Sequence, residues 1–193
     1  MMPSTSRAGA RWWQAEAVGP AAALAAAGLA LLLLRVRLLG NPSATVLFAT
    51  TYVLIGAASL AVPMGSDGGR RLSPALALAV GVGAMVVATL VVGPRIPVRI
   101  APEALALNSL AAVSEEAFFR RFLYGRLARF GAVAAVAATA LLFALVHLPA
   151  YGVAAFWVDL GAGLLLSWQR WASGTWAVPA ATHVAANLLA VMP

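Results

Sequence analysis

The sequence predicts an all-α, multi-pass transmembrane helical bundle of about seven spans, with a polar site inside the membrane. Three observations predict it. Of the 193 residues, 63% are hydrophobic and 10% are charged, and the mean hydropathy is +0.92. Ordinary soluble domains carry roughly 45–50% and about 25%. The apolar residues gather into seven stretches, to be judged against the ~20 residues a spanning helix needs. The few ionisable residues inside those stretches fall at one depth. A soluble domain must present a solvated outside. The composition therefore excludes a soluble enzyme, a disulfide-built secreted module (there is no Cys) and a disordered chain.

The first stretch runs from Ala17 to Leu34 and stops at Arg35 and Arg37. Arg7 and Arg11 precede it as in a signal peptide, but the run exceeds the usual ~7–15-residue core, so a retained span is expected. The second runs from Ser43 to Pro63 and is followed by a polar loop, Gly65 to Ser73, with Asp67, Arg70 and Arg71. The third runs from Pro74 to Gly93, before a Pro- and Arg-containing connection from Pro94 to Glu103. These three spans form an N-terminal unit, residues 1–100. The four that follow form a second unit, 101–193. They run from Ala104 to Arg129, Ala132 to Leu148, Gly152 to about Trp168, and about Thr175 to Met192. Gly, Pro and Asn punctuate the gaps, as helix ends require.

The net charge is +7, carried by Arg alone. Because these Arg lie mostly between apolar stretches, they read as headgroup anchors rather than a nucleic-acid surface. The expected partners are membrane lipids and a membrane-associated peptide or protein, with no nucleic acid. With seven spans, Arg7, Arg11, Arg70, Arg71, Arg126, Arg129 and Arg170 share one side. Arg35, Arg37, Arg95 and Arg99 share the other. That bias predicts a cytoplasmic N-terminus and an external C-terminus in the cell membrane.

Charged groups inside apolar spans are costly, and they are functional candidates by default. The fourth stretch carries Glu115 and Glu116 side by side, then Arg120 and Arg121. Neighbours on a helix point about 100° apart, so the two carboxylates serve different ends. Glu116 and Arg120, four apart, can pair on one face and leave Arg120 as a clamp. Glu115 shares its face with Asn108, Ala111, Ala112 and Phe119, whose small members leave room for a cavity. With no cation close to it, Glu115 suits a general base. The contrary reading puts a break at Ser114 and lets both Glu reach water from a helix end. Phe118, Phe119, Phe122 and Leu123 oppose it by keeping the stretch apolar beyond the pair.

The two His of the chain are also in apolar stretches. His147 ends the fifth. His183 lies in the seventh, four residues before Asn187 and on the same face, with Pro179 a turn earlier freeing a backbone carbonyl. Counted from the turn between the fourth and fifth stretches, Glu115 and His147 both lie ~21–22 Å up, and His183 lies ~14–18 Å up, at 1.5 Å per residue. A carboxylate and an imidazole around a buried water can activate it against a peptide carbonyl. This predicts Glu115 as base, His147 as its partner on the water, and His183 and Asn187 as oxyanion donors. Two His and a carboxylate are also a plausible set for a divalent metal such as zinc, although no HExxH pair is present. A metal-free glutamate mechanism and a metal mechanism are both open at this point.

Other hydrolase designs fit worse. Ser167 and Ser173 lack the setting of a nucleophilic serine. An aspartyl dyad needs two Asp in the membrane, and Asp159 alone qualifies. Asp159 reads as a bond to a neighbouring helix, or as a lining residue of the same cavity.

Glu115-Glu116-x-x-x-Arg120, Phe143-x-x-x-His147 and His183-x-x-x-Asn187 resemble, in that order, the three motifs of the CPBP family. That family contains CAAX prenyl endopeptidases and bacteriocin-processing or bacteriocin-immunity membrane proteins. Gly163 to Arg170 and Gly174 to Pro179 are similar to the family's approach to its last motif. The resemblance spans about Ala101 to Met192. It implies a multi-pass intramembrane endopeptidase in which Glu115 and His147 activate water. His183 and Asn187 would be the polar partners on the last helix, and Glu116 and Arg120 would complete the first motif. Members are commonly labelled metalloproteases, and a glutamate mechanism has also been argued. Two other classes use the same residues. A proton-coupled transporter would employ Glu and His as a relay, and a non-catalytic membrane partner or immunity protein would employ them as interhelical bonds.

Overall fold

A computed structural model describes residues 18–38, 41–63, 71–92 and 102–190. Arg7, Arg11, Asp67, Arg70, Arg95, Arg99 and the ends of the first and seventh stretches at Ala17 and Met192 lie outside the described residues. Local sequence explains most helix ends. Helix α1, Val18–Leu34, is rich in Ala and Leu, both strong helix formers, and tightens into a 3₁₀ turn, Arg35–Leu38. Helix α2, Thr45–Ala61, stops where Val62 turns extended before Pro63 (φ −78°, ψ 130°), as a residue preceding Pro must. Helix α3, Pro74–Val92, opens with Pro in its first turn, and Ser73 Oγ accepts the Leu76 N–H at 3.2 Å. Helix α4, Pro102–Glu116, also opens with Pro and has Glu103 at its positive end. It passes without interruption into a π-helical stretch, Ala117–Leu123, and a short α-helical turn, Tyr124–Leu127.

Helix α5, Ala132–Ser173, is interrupted at Gly152, which has the non-helical φ 79°, ψ 178°. Thr139 Oγ1 meets Ser167 Oγ at 3.0 Å. A straight helix would separate those residues by ~42 Å at 1.5 Å per residue. The chain therefore doubles back at Gly152, and α5 is a hairpin of two arms, residues 132–151 and 153–173. The arms touch where Gly163 lacks a Cβ, since one placed there would lie 2.9 Å from the Ala140 carbonyl oxygen. The backbone at Gly152 is in a region essentially reserved for Gly, so Gly152→Ala is expected to lower stability by about 1–3 kcal/mol in a denaturant titration. A change near zero would mean that the reversal does not depend on that conformation. Gly174, left-handed at φ 70°, caps the second arm, and α6, Ala177–Leu189, follows.

Among the described residues the protein is all-helical, with six helices. Helix α6 packs on α3, α4 and α5, helix α4 packs on α2 and α6, and α1 packs on α2 and α5. The core gathers around the π-helical stretch, with Phe118, Phe119, Phe122 and Leu123 against Leu32, Tyr52, Ile55, Phe143 and Val146. Large apolar side chains such as Val46, Val91, Val133 and Trp157 point outward, as a lipid-facing surface requires.

Several expectations are corrected here. Among the described residues three helices, Gly19–Leu38, Pro74–Val91 and Ala132–Ser173, are long and apolar enough to cross a membrane, and the last of them contains the fifth and sixth expected stretches, so seven separate spans are not distinguished. Helices α2 and α6 are apolar but shorter, and α4 with its π-helical continuation carries too many charges. Arg35 and Arg170 are buried rather than anchored at headgroups (3% and 1% exposed). The Arg170 Nε–H donates to the Arg120 carbonyl at 3.0 Å. Pro179 falls in the first turn of α6, where a missing N–H disrupts nothing.

Candidate active site

The last turn of α4 is enclosed by α2 and α6, so both carboxylates are buried; no helix end at Ser114 exposes them. Their divergent directions give them separate sets of partners. Glu115 Oε1 accepts the Tyr52 hydroxyl at 2.9 Å and is in contact with Arg35 Nη1, which also reaches the Tyr52 oxygen. Glu115 Oε2 lies 3.7 Å from His147 Nε2. Glu116 Oε1 accepts from Arg120 Nη1 and faces His183 Nδ1, both at 2.9 Å. Arg120 Nη2 donates to the Gly163 carbonyl at 3.2 Å, which ties the π-helical stretch to the second arm of α5.

His147 Nδ1 is 2.7 Å from the Phe143 carbonyl oxygen. A carbonyl can only accept, so Nδ1 carries the proton and Nε2 offers its lone pair toward Glu115 when the ring is neutral. The Phe143 ring lies between the two imidazoles, with centroids 4.4 Å from His147 and 5.7 Å from His183. The Arg120 guanidinium sits over the same ring at 4.5 Å. Four of the six expected residues thus form two linked groups around Phe143: Glu115 with His147, and Glu116 with His183. Arg120 joins the second group. Asn187 stands apart. Its Nδ2 donates to the Asn108 carbonyl at 3.2 Å, about two turns along α4 from Glu115.

The expectation that Glu115 has no cation close to it is overturned by Arg35. Arg35 and Tyr52 both come from the N-terminal helices, where sequence reading found no functional residue. An Arg closing an apolar run looks like an anchor, and burial by α2 and α4 reverses that. Tyr52, mid-run in α2, was the available signal, because a buried Tyr hydroxyl needs a partner. Asp159, on the second arm of α5, has a buried Oδ2 with no hydrogen-bond partner among the described residues.

The residues do not fit a three-ligand zinc set. Among the described residues no group of three His, Cys, Asp or Glu is disposed to hold a metal ion. A guanidinium in contact with Glu115 also opposes a second cation there.

Residues 97–189 match the family described as type II CAAX prenyl endopeptidase, Rce1-like. This stretch, 93 of the 193 residues, is similar to that family. Rce1-like proteins are membrane proteases, and the matched stretch holds Glu115, Glu116, Arg120, His147, His183 and Asn187. Arg35 and Tyr52 lie outside it. Neither a curated protein nor a solved structure matches the chain.

Proposed function

We propose that the protein is a multi-pass intramembrane endopeptidase of the cell membrane. It would hydrolyse a peptide bond of a membrane-associated, CAAX-like substrate by metal-free activation of water. The observation that carries this reading is the approach of Glu115 Oε2 to His147 Nε2 at 3.7 Å, with the imidazole tautomer set by the Phe143 carbonyl. Two acceptors so placed can share one water.

In the reaction the water oxygen bonds to the scissile carbonyl carbon, and its proton passes to the Glu115–His147 pair. The carbonyl π electrons move to oxygen. On collapse the C–N bond breaks, and the nitrogen leaves with the proton that the pair held. The products are a carboxylic acid and an amine. Glu116 and Arg120 hold His183 in place. With its Nδ1 proton on Glu116, His183 has Nε2 left for substrate. That atom donates to an oxyanion when the ring carries both protons, and accepts a peptide N–H otherwise. Asn187, one turn on, extends the polar edge of α6 toward the substrate chain.

The test uses the full chain in liposomes with quenched-fluorescent peptides ending in CAAX, with and without a prenyl group. The wild type is expected to cleave, and His147→Ala to lower kcat by about 10²–10⁴-fold, the range of general acid–base contributions. Absence of cleavage by the wild type, or full activity of His147→Ala, overturns the reading.

A further inference from the structure

Arg35 closes α1 and is 3% exposed. A guanidinium that pairs with a carboxylate is often bidentate, with two N–H groups against two oxygens. Here Nη1 makes both contacts, to Glu115 Oε1 and to the Tyr52 oxygen, while Glu115 Oε2 is turned to His147. Arg35 Nη2 is buried and has no partner among the described residues. Arg120, the other buried Arg of the site, engages both terminal nitrogens. A buried cationic donor without an acceptor is costly and calls for an explanation in which one arrives. The acceptor must come to within hydrogen-bonding reach of the group that also contacts Glu115. His183 Nδ1 is held on Glu116 and leaves Nε2 for substrate, so a donor on Arg35 would add to it rather than replace it.

We propose that Arg35 contacts the substrate, its Nη2 donating to the scissile carbonyl oxygen as that atom becomes an oxyanion. This rests on the peptidase reading above. Water adds to the carbonyl carbon and negative charge develops on the oxygen, where the preorganised N–H meets it. The charge returns to the carbon–oxygen bond as the C–N bond breaks. The site is then completed by an N-terminal helix outside the matched residues.

The experiment uses the full chain in liposomes, a cleavable prenylated peptide, and a phosphinate analogue of that peptide whose tetrahedral anion needs no enzymatic chemistry to form. Arg35→Gln is expected to lower kcat by about 10²–10³-fold with KM little changed, as for loss of one oxyanion donor. Tyr52→Phe keeps the free Nη2 and is expected to lose less than tenfold. Because Arg35→Gln also leaves Glu115 unpaired, a second comparison removes that charge. In a Glu115→Gln background, adding Arg35→Gln is expected to weaken phosphinate binding at least tenfold. Unchanged binding there, or equal losses of kcat in Arg35→Gln and Tyr52→Phe, overturns the proposal and leaves Arg35 as a positioning residue for Glu115. If the wild type cleaves nothing, the peptidase reading fails by itself. Phosphinate binding then decides the role of Arg35, and affinity that is absent or independent of Arg35 overturns it.

Discussion

Glu115→Gln is expected to lower kcat by about 10²–10⁴-fold while the protein still folds. The substitution is nearly isosteric. A glutamine oxygen can accept the Tyr52 hydroxyl and the Arg35 N–H as the carboxylate does, so the polar contacts of Oε1 have replacements. What disappears is the acceptor at Oε2 beside His147 Nε2, and with it the means of holding the water's proton. Stability also falls, because Arg35 keeps a buried charge without its counter-charge. Loss of a buried partner costs up to ~3–5 kcal/mol, and the retained acceptor reduces that. The two effects are read separately, from single-turnover cleavage in liposomes and from denaturant unfolding of the same preparation. Glu115→Gln that retains more than a tenth of wild-type kcat would remove Glu115 from the chemistry and shift the base role to His147 alone.

The residues that carry this prediction were visible in the sequence for a physical reason. Carboxylates and imidazoles stand out in apolar stretches because burying them is costly, and helical periodicity relates them within one helix. The Glu116–Arg120 pair followed from four-residue spacing, and the common depth of Glu115 and His147 followed from counting residues to a shared turn. Contacts between distant helices had no such signal. Arg35 is 80 residues from Glu115, and its place at the end of an apolar run matches a headgroup anchor equally well. Arg170 misled in the same way. The π-helical stretch was also hidden, since Ala117–Leu123 has a composition that an α-helix accepts. π-helical turns are frequent at functional sites, and here one carries Arg120 between Glu116 and the second arm of α5. The reversal falls at Gly152, where the sixth stretch begins.

Arg120→Met is expected to destabilise the protein by about 3–5 kcal/mol, the cost of breaking a fully buried ion pair from one side. Glu116 and Arg120 are both 0% exposed, so water cannot replace the lost partner. Glu116 would keep only His183 Nδ1, and its Oε2 already has no partner among the described residues. The Gly163 carbonyl would lose its donor as well, loosening the π-helical stretch from α5. Methionine preserves much of the apolar bulk over the Phe143 ring, so the loss reports charge and hydrogen bonding more than packing. The double variant Glu116→Gln/Arg120→Met neutralises both sides and is expected to regain most of that stability, because a neutral pair has no buried charge to compensate. Unfolding in mixed micelles measures both. A loss under about 1 kcal/mol in Arg120→Met would show that the pair is not a clamp. The double variant also separates folding from function. With stability regained, His183 still lacks an anionic partner, so kcat should stay low. Full recovery of kcat would confine Glu116 and Arg120 to holding the helices together.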